Sequence, residues 1–206
     1  MTHSLHRKKD AEGLCDDYVM LIMAEPGKIN QESVKNRMRE SWDIISHYEA
    51  ELTNFGTVRG GGRHKKPIEA FKEKNGFLIH AVFKDRDSLK ACLNELKDRD
   101  LGVSVSVSGC LEGVNETCAE VGLNPHTMQY ALGIHGKTDK LPDEKVLNIA
   151  TICGHAMVST NLIAHVIEKI SKKRMTHAEA AEKLCGMCDC GIFNPHKAER
   201  LLRQMV

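Results

Sequence analysis

Tyr18-Val-Met-Leu-Ile-Met-Ala24 is an uninterrupted apolar run that Pro26-Gly27 closes. Its length and its turn ending predict a buried strand. Directly after it the period changes. Asn30 stands where an N-cap belongs, and Val34, Met38, Trp42, Ile45, Tyr48 and Leu52 follow at three- and four-residue steps. A helix over about 31–52 is therefore expected, its apolar stripe packed on a sheet. Trp42 lies on that stripe and reads as core.

Working outward, Gly76–Phe83 reads as a second strand, and Asp85–Asp98 as a helix with Leu89, Cys92, Leu93 and Leu96 on one face. Val103-Ser-Val-Ser-Val-Ser108 alternates strictly, with valines on one face and serines on the other, as a half-buried strand requires. A helix near 110–120 follows, and Met128–Ile134 reads as a fourth strand. This succession predicts an α/β sandwich with helices covering a four-stranded sheet. A ferredoxin-like arrangement fits its strand–helix–strand units. Residues 1–15, with His3, His6 and Arg7-Lys8-Lys9, read as a mobile terminus.

After Leu141-Pro142-Asp143 the strand signals stop. The expected division is an α/β ligand-binding domain over 1–140 and a helical, cysteine-rich metal- or cluster-binding region over 141–206. The second part is too short to be stable without packing on the first or binding a metal.

Composition narrows the class. At 206 residues, 41% hydrophobic and 28% charged, the chain is expected to be a soluble globular protein. No run approaches the roughly 20 apolar residues of a membrane span. The start, MTHSLHRKKD, lacks the apolar core of a secretory signal, so the cytoplasm is the expected location. A net charge of +1 supplies no global field for nucleic acid, and 4% aromatics leave little to stack bases on. Nucleic acid and membrane are thus disfavoured as partners, while a homo-oligomer is compatible with the composition. The nucleophile-elbow, His-Glu-x-x-His and dinucleotide signatures are absent.

In a reducing compartment the eight cysteines are not expected to form disulfides, and clustered ones become metal or redox candidates. Cys15, Cys92, Cys110 and Cys118 are scattered and read as small hydrophobes. The other four are not scattered. Cys185-Gly-Met-Cys188-Asp-Cys190-Gly-Ile-Phe-Asn-Pro195 groups three, and Cys153-Gly-His155 adds a fourth with a histidine beside it. Four thiolates suffice for an iron–sulfur cluster or for zinc. The uneven spacing points first to a 4Fe–4S cluster, with zinc as the alternative and a thiol relay behind both. His155 is read as a ligand, as a hydrogen-bond donor to a ligand sulfur, or as an ordinary helix-start residue. Cys153 is expected at a helix N-terminus, over His155–Lys173. Thr176-His-Ala-Glu179 matches a capping box, and Asn194-Pro195 opens a last helix.

Two further stretches carry polar groups. Arg59-Gly60-Gly61-Gly62-Arg63-His64-Lys65-Lys66 combines glycines with cations and suits a phosphate or carboxylate, although it lacks the ending of a phosphate-binding P-loop. Cys110, His135 and Lys137 lie near expected strand ends and could line a pocket. The functional expectation is a metalloprotein acting in anaerobic redox chemistry or in metal-cofactor maturation. Its partners would be a small anionic molecule, or a redox or maturation partner protein. The competing expectation is a zinc-stabilised binding or regulatory module.

Overall fold

A computed structural model of the protein describes residues 7, 9, 13–57, 61–63, 65–73, 76–129 and 131–206. These form a mixed α/β fold, with eight α-helices and a five-stranded antiparallel sheet among the described residues. The strands are β1 (Tyr18–Met23), β2 (Leu52–Thr57), β3 (Gly61–Gly62), β4 (Leu78–Phe83) and β5 (Ser104–Ser108), arranged β3-β2-β4-β1-β5. Helices α1 (Glu32–Ser46), α2 (Glu69–Lys72), α3 (Arg86–Arg99) and α4 (Leu111–Val121) interleave with and follow them. The chain closes with α5 (Glu144–Ala150), α6 (Thr160–Ser171), α7 (His177–Cys185) and α8 (Pro195–Arg203).

The unbroken apolar run of β1 has a direct cause: this central strand is covered on both faces. Tyr18, Met20 and Ile22 point into one core with Ile79, Ala81 and Phe83 of β4, and there meet Trp42, Phe71 and Leu89 from α1, α2 and α3. Val19 and Leu21 alternate to the opposite face with Leu78 and Val82. They meet Ile149, Ile163, Val166, Leu184 and Leu202 from α5, α6, α7 and α8. A strand that needs apolar side chains on both sides cannot show period-two patterning. β5, at the edge, is exposed at Ser104 and Val105 and buried at Ser108, so its valine–serine alternation is not matched by alternating burial.

Several expectations need correction. The sheet has five strands, and the two that were not expected, β2 and β3, run from the last residue of the expected first helix into the Gly-rich stretch. α1 stops at Ser46, and after a 3₁₀ turn over Glu49–Glu51 the chain enters β2. Leu52 merely continued the helical spacing. The expected strand at Met128–Ile134 forms none among its described residues. α1 is preceded by Gln31 rather than Asn30, without a side-chain cap. The capping box at Thr176 and the Asn194 cap, which accepts from Lys197 N–H, are both present.

The expectation that no cysteines pair is also overturned. Cys15 and Cys110 form a disulfide with Cα atoms 5.9 Å apart. The antiparallel register of β1 with β5 sets Val19 opposite Ser108, so the residues just before β1 and just after β5 are neighbours. Their separation of 95 residues hid this from the sequence. No helix among the described residues is long and apolar enough to cross a membrane.

Candidate metal centre

Four cysteines gather where the helical layer meets the edge of the sheet. Cys185 is the last residue of α7, and Cys188 turns back on it, its N–H donating to Cys185 O at 3.0 Å. Cys190-Gly191 then presses into the β2–β3 hairpin. A Cβ on Gly191, whose φ is +77°, would stand 2.5 Å from Phe55 O, and one on Gly56 would stand 3.0 Å from Cys190 O. Only glycines permit that approach. Cys153 comes from the other side, just past α5, with its N–H on Ala150 O. This corrects its expected place at a helix start, because α6 begins only at Thr160 behind its Ser159 cap.

The sulfurs touch in a chain. The Cys153 thiol donates to Cys188. Cys188 Sγ lies 3.8 Å from Cys190 Sγ, and Cys190 Sγ lies 3.6 Å from His155 Nδ1. Backbone N–H groups are aimed at the same atoms: those of His155 and Met157 at Cys153, and that of Ile192 at both Cys188 and Cys190. Such donors stabilise negative charge on sulfur. They replace the helix dipole that was expected to act on Cys153. Ala156, at φ +56°, provides the left-handed turn between the two N–H groups that serve it.

The thiols differ in acidity accordingly. Cys190 is held below the ordinary range, first by the hydrogen bond from Cys188, with the Ile192 N–H helping against burial. Cys153 is pushed well up because it donates its proton to Cys188 and is buried. For Cys188 the bond from Cys153 lowers the value, but donation to Cys190 and burial together prevail and raise it. Burial pushes Cys185 up to about 12, and the Glu182 carboxylate adds to the rise. The first negative charge thus forms at Cys190, the half-exposed end of the chain of sulfurs.

Two residues that the sequence did not single out hold this arrangement. Asn54 is completely buried at the register shift in β2, where a strand bulge turns its amide into the helical layer. Its Nδ2 donates to Phe193 O at 2.9 Å and to Cys185 Sγ at 3.3 Å. Its Oδ1 accepts from Phe55 N–H at 2.9 Å and Arg63 N–H at 3.2 Å. Arg7 lies in the terminus expected to be mobile, yet is 6% exposed. Its Nη2 donates to Ile192 O at 3.0 Å and to Ile152 O at 3.4 Å, so it clamps the two backbone segments that carry Cys190 and Cys153. Asp17 faces it at 3.2 Å, with Lys197 at 3.6 Å and Asn194 hydrogen-bonded. An asparagine amid strand residues was the available signal for Asn54; nothing local marked Arg7.

The remaining candidates fall elsewhere. Gly61 and Gly62 form β3. Arg63 is ion-paired with Glu182, and Lys65 with Asp189, so the hairpin is tied to the cysteine-bearing segment. Lys66 sits over the Phe71 ring at 6.0 Å. Arg59, Gly60 and His64 lie outside the described residues. Cys110 is buried in its disulfide, whereas His135 and Lys137 are exposed, with His135 Nε2 3.1 Å from Leu132 O.

Among the described residues, no three His, Cys, Asp or Glu side chains stand together as a ready-made ion cage. The contacts are pairwise and consecutive. Comparison of the chain with protein-family models, with curated proteins and with solved structures finds no significant match.

Proposed function

We propose that the protein binds one zinc ion through Cys153, Cys188, Cys190 and His155, and that the ion fastens the loop after α5 to the loop after α7 as part of a binding or regulatory module. The observation that carries this is the spacing of the donor atoms. Thiolates about 2.3 Å from one tetrahedral zinc stand about 3.8 Å apart, and a thiolate and an imidazole nitrogen on the same ion about 3.6 Å apart. The Cys188–Cys190 and Cys190–His155 separations have those lengths, at 3.8 and 3.6 Å. The backbone N–H groups directed at all three sulfurs support the same reading, since a metal-bound thiolate stays anionic.

The spacing weighs against the expected 4Fe–4S cluster. There each thiolate takes a different iron, which spreads the sulfurs beyond the edge of a single-ion tetrahedron. Cys185, which would complete a four-thiolate set, stands outside the chain of contacts that joins Cys153, Cys188, Cys190 and His155. The cations expected to attract a small anion, Arg63 and Lys65, are matched by Glu182 and Asp189. We further infer that β2-β4-β1-β5, with α1 and α3 as crossovers, is a ferredoxin-like frame, to which β3 and the last four helices are added.

Metal analysis and the absorption spectrum of anaerobically purified protein test this reading. Colourless protein with one zinc per chain, lost in Cys188→Ser and Cys190→Ser, is the expected result. Brown protein with iron and acid-labile sulfide would replace it with the cluster reading. Metal-free protein with freely titrating thiols would leave a thiol relay.

A further inference from the structure

We infer that the Cys15–Cys110 disulfide is a thiol-exchange site, at which an incoming dithiol attacks the Cys15 sulfur and Cys110 departs as a thiolate. It sits at the β5 edge of the sheet, whereas Cys190 presses into the β2–β3 hairpin at the other edge, and it needs no metal. The two sulfurs are unequally placed. Cys15 is partly exposed and Cys110 is 5% exposed, so attack is directed to Cys15. Leu14 and Leu111, the chain neighbours of the two cysteines, are 45% and 41% exposed and give the incoming group an apolar approach.

Cys110 is equipped to leave. It occupies the N-cap position of the eleven-residue helix α4, where an oxygen-bearing side chain ordinarily accepts from first-turn N–H groups, and no side chain caps that end. A sulfur at this position is stabilised by the positive end of the helix once it carries charge. Tyr18, 1% exposed, brings its hydroxyl to 4.0 Å from the Cys110 sulfur. Glycines make room for that approach. A Cβ on Gly113 would collide with the Tyr18 hydroxyl and stand 3.0 Å from the Cys110 sulfur, and one on Gly109 would stand 2.6 Å from the Tyr18 ring. Glu112, whose carboxylate would oppose the new charge, is ion-paired with Lys9.

The exchange balances with a dithiol as the reductant. A bond forms between the incoming thiolate and the Cys15 sulfur as the Cys15–Cys110 bond breaks, and the electron pair of that bond leaves on Cys110. The second thiolate of the dithiol then attacks the sulfur of the first, which releases Cys15. The two protons given up by the dithiol end on the two cysteines, so one dithiol is oxidised and one protein disulfide reduced.

Folded, oxidised protein treated with a cysteine-containing tripeptide, quenched with an alkylating agent and mapped by mass spectrometry, identifies the sulfurs. The tripeptide should be found on Cys15 and the alkyl group on Cys110. A small dithiol and a Cys-x-x-Cys protein should both reduce the pair without unfolding the chain; whichever acts at lower concentration distinguishes a free thiol from a protein partner. Tyr18→Phe keeps the buried ring but loses the hydroxyl, and should slow reduction about fivefold. Gly113→Ala, which displaces the hydroxyl, should slow it similarly. A disulfide reached only through unfolding would be reduced at a rate that urea accelerates steeply and Tyr18→Phe does not slow. That result overturns the inference, as does the tripeptide on Cys110 with the alkyl group on Cys15, or native protein whose Cys15 and Cys110 stay unpaired in the presence of a small disulfide.

Discussion

The two faces of the sheet are built from different materials. On the face covered by α1, α2 and α3, Trp42 stacks on Phe71 with ring centroids 5.6 Å apart, and Phe55 meets Phe71 edge-on at 5.9 Å. Large side chains fill that layer, and Cys92 serves there as a small hydrophobe whose thiol burial pushes well up. On the other face Phe193 is the sole aromatic among the described core residues, and four cysteines are accompanied by the buried polar groups Arg7, Asp17, Asn54, Asn194 and Lys197. One layer is held chiefly by packing, with the Cys15–Cys110 disulfide at its margin. The other depends on a connected polar network, in which each missing member leaves a partner stranded without water.

The comparison can be broken most forcefully on the apolar side. Trp42→Ala should cost about 4 kcal/mol, as expected for a large buried aromatic. That loss, read by urea unfolding, should be the same with and without a chelator. A chelator-dependent loss would show that the faces are not independent. On the polar side, Arg7→Ala strips Asp17 of its nearest cation and should cost about 3 kcal/mol. Burial alone would raise the Asp17 carboxyl, but Arg7, Lys197 and Asn194 outweigh it and hold it below its ordinary value. A depressed folded-state value contributes stability above the unfolded value of about 3.9, lost as pH falls through the folded one. Acid unfolding of Arg7→Ala should therefore begin at higher pH than in the native protein, and an unchanged acid limb would count against the clamp. The smallest expected effect is that of Asn54→Ala, about 2 kcal/mol from the partners left unsatisfied at Phe193 O and Arg63 N–H. If the zinc reading holds, the same variant should keep its metal, because Asn54 touches Cys185 and none of the proposed ligands.

The packed face was the more legible of the two. Its helices announce themselves by spacing, as with Leu89, Cys92, Leu93 and Leu96 on α3, and its strands by apolar runs between turns. Legibility failed where a residue serves two periods or a distant partner. Leu52 fits the helical stripe of α1 yet opens β2, whose pattern is then broken by a bulge and a buried asparagine. The cysteine cluster could be found from spacing, because ligand chemistry concentrates side chains that packing would scatter. Its support could not, since Arg7 and Asn54 lie 185 and 139 residues from the carbonyls they reach. The Cys153–His155 loop reads as the start of the helix after it, yet α6 begins only at Thr160 behind its Ser159 cap, and the loop instead follows α5.

The Arg7 clamp also dictates an order of events during synthesis. Its acceptor at Ile192 lies 185 residues downstream, and the adjoining Asp16 pairs with Arg200, 184 residues on. At about 5–20 residues per second, the first segment waits on the order of 10 to 40 seconds for its seat to be made. Throughout that interval Val19, Leu21 and Val82 lack the helices that will cover them. The nascent chain thus passes through a state with one finished face and one bare one, when a chaperone or a neighbouring copy has most to bind. Packing of α5–α8 onto that face ends it, and the same step completes the seat of Arg7.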